Sequence, residues 1–119
     1  MATTLEKVRL KAARKLGLAR FGQSIKSHHD TDLTEAYNEL YDELADFELT
    51  KWSSTGSLPD KYADPVAALL AAARVDEYRV SDSRYLRVVN AAIAARRKLH
   101  ALKAGKHHPN DNQTQVNNF

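Results

Sequence analysis

The stretch Asp32-Leu33-Thr34-Glu35-Ala36-Tyr37-Asn38-Glu39-Leu40-Tyr41-Asp42-Glu43-Leu44-Ala45-Asp46-Phe47-Glu48-Leu49 decides the fold class. Leu33, Tyr37, Leu40, Leu44 and Phe47 recur at alternating four- and three-residue intervals, and Ala36 and Tyr41 widen the stripe. That period belongs to an amphipathic helix and not to a strand, whose faces alternate at every second residue. Glu35, Glu39, Asp42, Glu43, Asp46 and Glu48 take the remaining faces. Asp32 and Glu35 have capping-box spacing, so the pattern predicts a helix from Asp32 to Leu49, about 27 Å long at 1.5 Å per residue.

Working outward, the chain is helical on both sides. Leu5, Val8, Ala12 and Leu16 predict a first helix from Thr4 to Leu16, with Thr3 and Glu6 spaced as a capping box and Gly17 as its C-terminal cap. Residues 18–31 read as a long connection that Leu18, Phe21 and Ile25 tack onto the core. Asp64-Pro65 predicts the start of a third helix, since Asp is a favoured N-cap and Pro a favoured first helical residue. Its continuation, Val66-Ala67-Ala68-Leu69-Leu70-Ala71-Ala72-Ala73, is apolar nearly all round and so belongs in the middle of something. So short a chain offers few neighbours for it, and its alanine flank is expected to find cover in further copies. A fourth helix is predicted from Asp82 to Ala104, stopped by Gly105. Its expected inner stripe is Leu86, Val89, Ile93 and Leu99, with Tyr85, Ala92 and His100 beside it and Arg84, Arg87, Arg96, Arg97, Lys98 and Lys103 outward. The expectation is an all-α fold: a small bundle of about four helices over residues 1–105, with a long connection between the first two. Residues 106–119 are expected to form a flexible, extended C-terminal arm, polar but ending in Val116 and Phe119, that orders on a partner.

Composition narrows the function. The 119 residues include no cysteine, which excludes disulfide frameworks, thiolate metal sites and thiol catalysis. No apolar run approaches the roughly 20 residues of a membrane helix, and the N-terminus lacks the apolar core of a signal peptide. The net charge of +3 conceals segregation: residues 1–29 carry +6, residues 30–64 carry −8 and residues 65–119 carry +5. An acidic middle between basic flanks predicts that the middle meets one or both flanks, within one chain or between copies. Exposed ion pairs add little stability, so such a pattern acts on orientation and partner choice.

No phosphate-binding glycine loop, nucleophile elbow or zincin motif is present, and the reading assigns no catalytic residues and no cofactor. Close carboxylates such as Glu39 and Glu43 read as a solvated or partner-facing side of a helix. The pairs His28-His29 and His107-His108 lack the three or four converging ligands that a metal needs. The aromatic set Tyr37, Tyr41, Trp52, Tyr62, Tyr78 and Tyr85 is mostly core, with Trp52 and Tyr62 flanking a Ser-rich turn. Leu10–Ile25 has part of a helix-turn-helix pattern, which leaves a small DNA-binding regulator as the alternative reading. Gly22 inside the would-be second helix weakens that pattern.

The ordered set of features resembles a known family. A basic helix ending in Arg14-Lys15-Leu16-Gly17-Leu18 is followed by a linker, then by the acidic helix Asp32–Leu44 running to Trp52. A loop, the Ala-rich helix beginning Asp64-Pro65-Val66-Ala67-Ala68-Leu69-Leu70-Ala71 and a long basic helix with Ala91-Ala92-Ile93-Ala94-Ala95-Arg96-Arg97-Lys98-Leu99 complete the order. Over residues 4–104 this looks like the helical head-to-tail adaptor proteins of tailed bacteriophages, also called connector or head-completion proteins. The Ser53–Lys61 loop and the tail are shorter than in that family. The resemblance implies a virion protein at the portal vertex, made in the host bacterial cytoplasm. It implies a ring, commonly of twelve copies, that binds the portal ring on one side and the next tail or tail-nozzle protein on the other. Packaged DNA would pass through the ring without sequence-specific contact, and no membrane is involved. Carried over by position, Lys106, His107, His108, Pro109, Val116 and Phe119 would contact the portal. Unlike patches suit a head-to-tail ring, so Glu39, Asp42, Glu43 and Asp46 of one copy are expected to face Arg87, Arg96 or Arg97 of the next.

Overall fold

A computed structural model describes residues 2–20 and 22–107, with side chains as far as residue 103. Among the described residues the chain is all-α apart from one two-strand bridge. In order it forms β1 (Ala2–Thr3), α1 (Leu5–Leu16), α2 (Ser27–Asp46), β2 (Leu58–Pro59), α3 (Asp60–Arg74), a single 3₁₀ turn (Val75–Glu77) and α4 (Asp82–His107). β1 and β2 are antiparallel, pairing Ala2 with Pro59 and Thr3 with Leu58.

The hub is α3. Every residue from Tyr62 to Ala71 except Asp64 is buried, and α1, α2 and α4 all pack on it. The expectation that its alanine flank needs other copies is therefore corrected: one chain supplies three neighbours, and only Ala72 and Ala73 at its end are left partly or wholly open. The stripes read for the first two helices are the ones buried: Val8, Ala12 and Leu16 in α1, and Leu33, Ala36, Tyr37, Leu40 and Leu44 in α2.

Several boundaries differ from the sequence reading, each for a physical reason. α1 is capped by Thr4, whose hydroxyl accepts from the Lys7 amide, while Thr3 sits in the bridge and donates to Asp60 at 2.7 Å. α2 starts at Ser27 with no side-chain cap. The extra turn is held by tertiary contacts instead, because it brings Asp30 within 2.7 Å of Arg9 Nε. Asp32, expected as a cap, lies inside the helix with its carboxylate on Arg74 and Tyr78. α2 also ends early, at Asp46. Leu49 N–H returns to the Leu44 carbonyl and Glu48 N–H to that of Ala45, a Schellman reversal with Glu48 at φ 59°. The reversal buries Leu49 and leaves Phe47, expected in the core, 53% exposed. α3 begins at Asp60, so Pro65 lies inside it and not at its start. The lost backbone bond is offset by the added turn, which buries Tyr62 against Trp52 with ring centroids 5.1 Å apart. α4 continues through Gly105, the expected stop, to His107.

The largest correction concerns α4. Its core face is Val88, Ala95 and Leu99, with Ala91, Ala92 and Leu102 partly covered. The expected Leu86 and Ile93 are 59% and 49% exposed, and Tyr85 and His100 are exposed too. Facing an alanine-rich α3, the smaller of two apolar stripes permits the closer backbone approach and more dispersion contact. The bulkier stripe is left outside.

Candidate assembly interface

The ion pairs answer the charge segregation first. Arg9–Asp30 at 2.7 Å, Lys11–Asp64 at 3.0 Å, Arg74–Asp32 at 3.1 Å and Arg96–Glu43 at 2.7 Å all join the acidic middle to a basic flank within one chain. Two of the expected partner-facing acids are engaged in this way, Glu43 with Arg96 and Glu39 with Arg74 at 3.6 Å. Asp42 and Asp46 are exposed and make no ion pair among the described residues, and neither do Arg87 and Arg97. Lys106 and His107 lie in the last turn of the α4 backbone. The arm positions His108, Pro109, Val116 and Phe119 fall outside the described residues.

Two surface features were not anticipated. One is a groove of about 330 Å³ floored by Leu69, Ala72 and Ala92 and edged by Val89, Ile93 and the Glu43–Arg96 pair. With exposed Leu86, two turns earlier on the same stripe as Ile93, it makes an apolar face on α4. Its signal was present in the sequence, because α4 has more apolar positions than one stripe can hold. The other is a basic groove of about 390 Å³ between the end of α1 and the first turns of α4, lined by Arg14, Lys15, Arg84 and Arg87 over Val88 and Ala91. Arg84, expected to face outward, is half-buried and donates to the carbonyls of Lys15 at 3.1 Å and Arg14 at 3.4 Å. It thereby covers the negative end of the α1 dipole. Gly17, at φ 80°, leaves room for it: a Cβ there would lie 3.3 Å from Arg84 Cζ.

Asp32 of α2 centres a polar network, and one of the twin histidines packs edge-on against it. Asp32 accepts from Arg74 Nε at 3.1 Å and from the Tyr78 hydroxyl at 2.6 Å. Burial, reinforced by Asp32, pushes the Tyr78 phenol up to about 12. Arg74 is held above the usual arginine range: burial works against its charge, but Asp32, Glu77 and Glu39 outweigh it. His29 is half-buried, edge-on to Tyr78 at 5.3 Å and 4.0 Å from the His28 ring. Its pKa is lowered, first by desolvation and then by His28 and Lys26, with Asp32 opposing. Among the described residues no three His, Asp or Glu side chains converge as a metal site. Trp52 Nε1 donates to Tyr37 Oη at 2.8 Å, and Tyr41 Oη donates to the Trp52 carbonyl at 2.6 Å, so this aromatic set pins the α2–β2 loop.

Residues 17–20 and 22–26 contain no helix, so the Leu10–Ile25 pattern lacks the second helix that would enter a DNA groove. No helix among the described residues is long and apolar enough to cross a membrane. No protein-family model, curated protein or solved structure matches this chain.

Proposed function

We propose that this chain is a non-enzymatic structural subunit that works in multiple copies, as a head-to-tail adaptor ring between a phage portal and its tail. The observation that carries the self-assembling part is the α4 face: Leu86 and Ile93 lie in solvent beside an apolar groove, while the opposite side of the same helix is in the core. Contiguous exposed apolar surface of this kind marks an interaction site. The phage assignment comes from the ordered resemblance over residues 4–104. On this reading the ring holds commonly twelve copies, sits at the portal vertex of the virion, lengthens the DNA channel and presents a surface to the next tail or tail-nozzle protein. Residues from Lys106 onward reach the portal. A channel element should not grip DNA, whose charge density is one per about 1.7 Å of duplex, and the modest net charge of +3 agrees with that.

The test is direct. The protein is mixed with a purified portal ring from the same phage and imaged. A collar of added density on one portal face is the expected result. A bare portal at saturating protein would overturn the reading.

A further inference from the structure

We propose that the basic groove between α1 and α4 is the socket for the outer acidic edge of α2 from a second copy. This deepens the ring reading, on which it rests, by naming the two surfaces that meet.

The socket is a concave site with one sign of charge. Arg14, Lys15, Arg84 and Arg87 line it, and among the described residues no acid does. The one negative element nearby, the carbonyl end of α1, is already covered by Arg84 through two hydrogen bonds. Arg87 is exposed and makes no hydrogen bond or ion pair among the described residues. Val88 and Ala91 give the groove an apolar floor against which a helix can rest.

The complement is on the same chain but is not paired with the groove. Glu35, Asp42 and Asp46 are exposed and make no ion pair among the described residues, whereas Glu39 and Glu43 are used internally. Spacings of seven and four residues set those three on one edge of α2, spread over about 16 Å of its axis. α1, α2 and α4 each pack on α3, and among the described residues no ion pair joins the acidic edge of α2 to the α1–α4 groove within the chain. Two unlike, complementary patches on one subunit make a heterologous contact, the kind that propagates head to tail and closes into a ring when the rotation allows. The contact uses Asp42, Asp46 and Arg87 from the sequence expectation, replaces Arg96 and Arg97 with Arg14, Lys15 and Arg84, and drops Glu39 and Glu43. A nucleic-acid backbone would also be drawn to four cations. The segregated acidic block favours protein, because it supplies the matching partner at the concentration of the assembly itself.

The absence of cysteine in the chain makes the test clean. Full-length Arg87→Cys and Asp42→Cys chains are mixed and treated with a short bis-maleimide, free in solution and on the portal. The mixed pair is expected to link about tenfold or more over either variant alone, and the double variant to give a ladder of oligomers. In a second arm without cysteine, Asp42→Lys/Asp46→Lys and Lys15→Glu/Arg87→Glu each lose association, and the chain carrying all four changes regains it. Arg84 is left intact there because it caps α1, and a circular dichroism melt confirms that each variant folds. The socket is overturned if the mixed pair links no better than the single variants, or if the four-fold chain associates no better than its parents. It is overturned equally if Lys15→Glu/Arg87→Glu instead abolishes salt-dependent duplex binding with no mixed cross-link. A collar on the portal without the cross-link sinks the socket and leaves the adaptor reading standing. The cross-link and the charge rescue without a collar do the reverse.

Discussion

Single residues in this fold carry backbone conformations and protonation states with measurable consequences. Gly17 closes α1 at φ 80° with the Arg84 guanidinium against it. Gly17→Ala is expected to cost about 1–2 kcal/mol in urea unfolding, from left-handed strain and displacement of that cap. Glu48 occupies the equivalent left-handed position after α2, at φ 59°. There Glu48→Gly is expected to add about 0.5–1 kcal/mol in the same measurement, because glycine adopts that conformation without steric cost. His29 sets a pH dependence. Its folded pKa lies below the ordinary 6.5, so the unfolded chain binds its proton more readily and stability falls as pH drops through that value. Above it both states are neutral and the effect is absent. Denaturant midpoints measured between neutral and mildly acidic pH should show this decline, and His29→Gln should reduce it. Tyr78 acts at the other end of the scale. With its phenol held near 12, the folded state keeps a proton that the unfolded state releases above about 10, so stability drains as pH rises through that interval.

At the scale of elements, periodicity was a sound guide wherever a helix had one apolar stripe. α1 and α2 each have one, and both core faces were legible from apolar spacing, except at Phe47, where the chain has already turned out of the helix. α3 was legible as the centre because it is apolar all round, although its neighbours were assigned to other copies. α4 was read correctly at Leu99 and misjudged at Leu86 and Ile93, because it carries two stripes and side-chain bulk pointed to the wrong one. The choice between them is made by α3, whose alanines reward small partners, and that information is not local to α4. Gly17 closes α1 as expected, but the start signals of α2 and α3 failed for a related reason: Asp32 and Pro65 have strong local preferences that Arg74, Tyr78 and Trp52 override through contacts distant in sequence. The two α4 faces predict opposite phenotypes. Leu86→Ser with Ile93→Ser should leave the thermal melt of the isolated chain within about 0.5 kcal/mol of wild type, as for other surface changes, yet reduce its incorporation into a portal-bound collar. Leu70→Ala, in the fully buried centre of α3, should cost about 2–5 kcal/mol by leaving a cavity.

Taken whole, the molecule combines a core complete within one chain with an exposed apolar face on α4 and a basic groove beside it. The basic groove belonged to no single stretch of sequence, because Arg14 and Arg84 are brought together only when α1 and α4 dock on the same central helix. Binding to a platform should therefore raise apparent stability by mass action, since only the folded chain can bind. A thermal scan with increasing portal should move the unfolding midpoint steadily upward, and an unmoved midpoint at saturation would argue against docking of the folded form. The uninterrupted passage of α4 through Gly105 has a mechanical consequence. At 1.5 Å per residue its 26 residues rise about 39 Å, against a longest molecular dimension of 51 Å. A tug at the far tip of such a rod is not absorbed by a joint along the way. On the adaptor reading, a load taken up there would run along one continuous helix to the turn where Arg84 clasps the first helix.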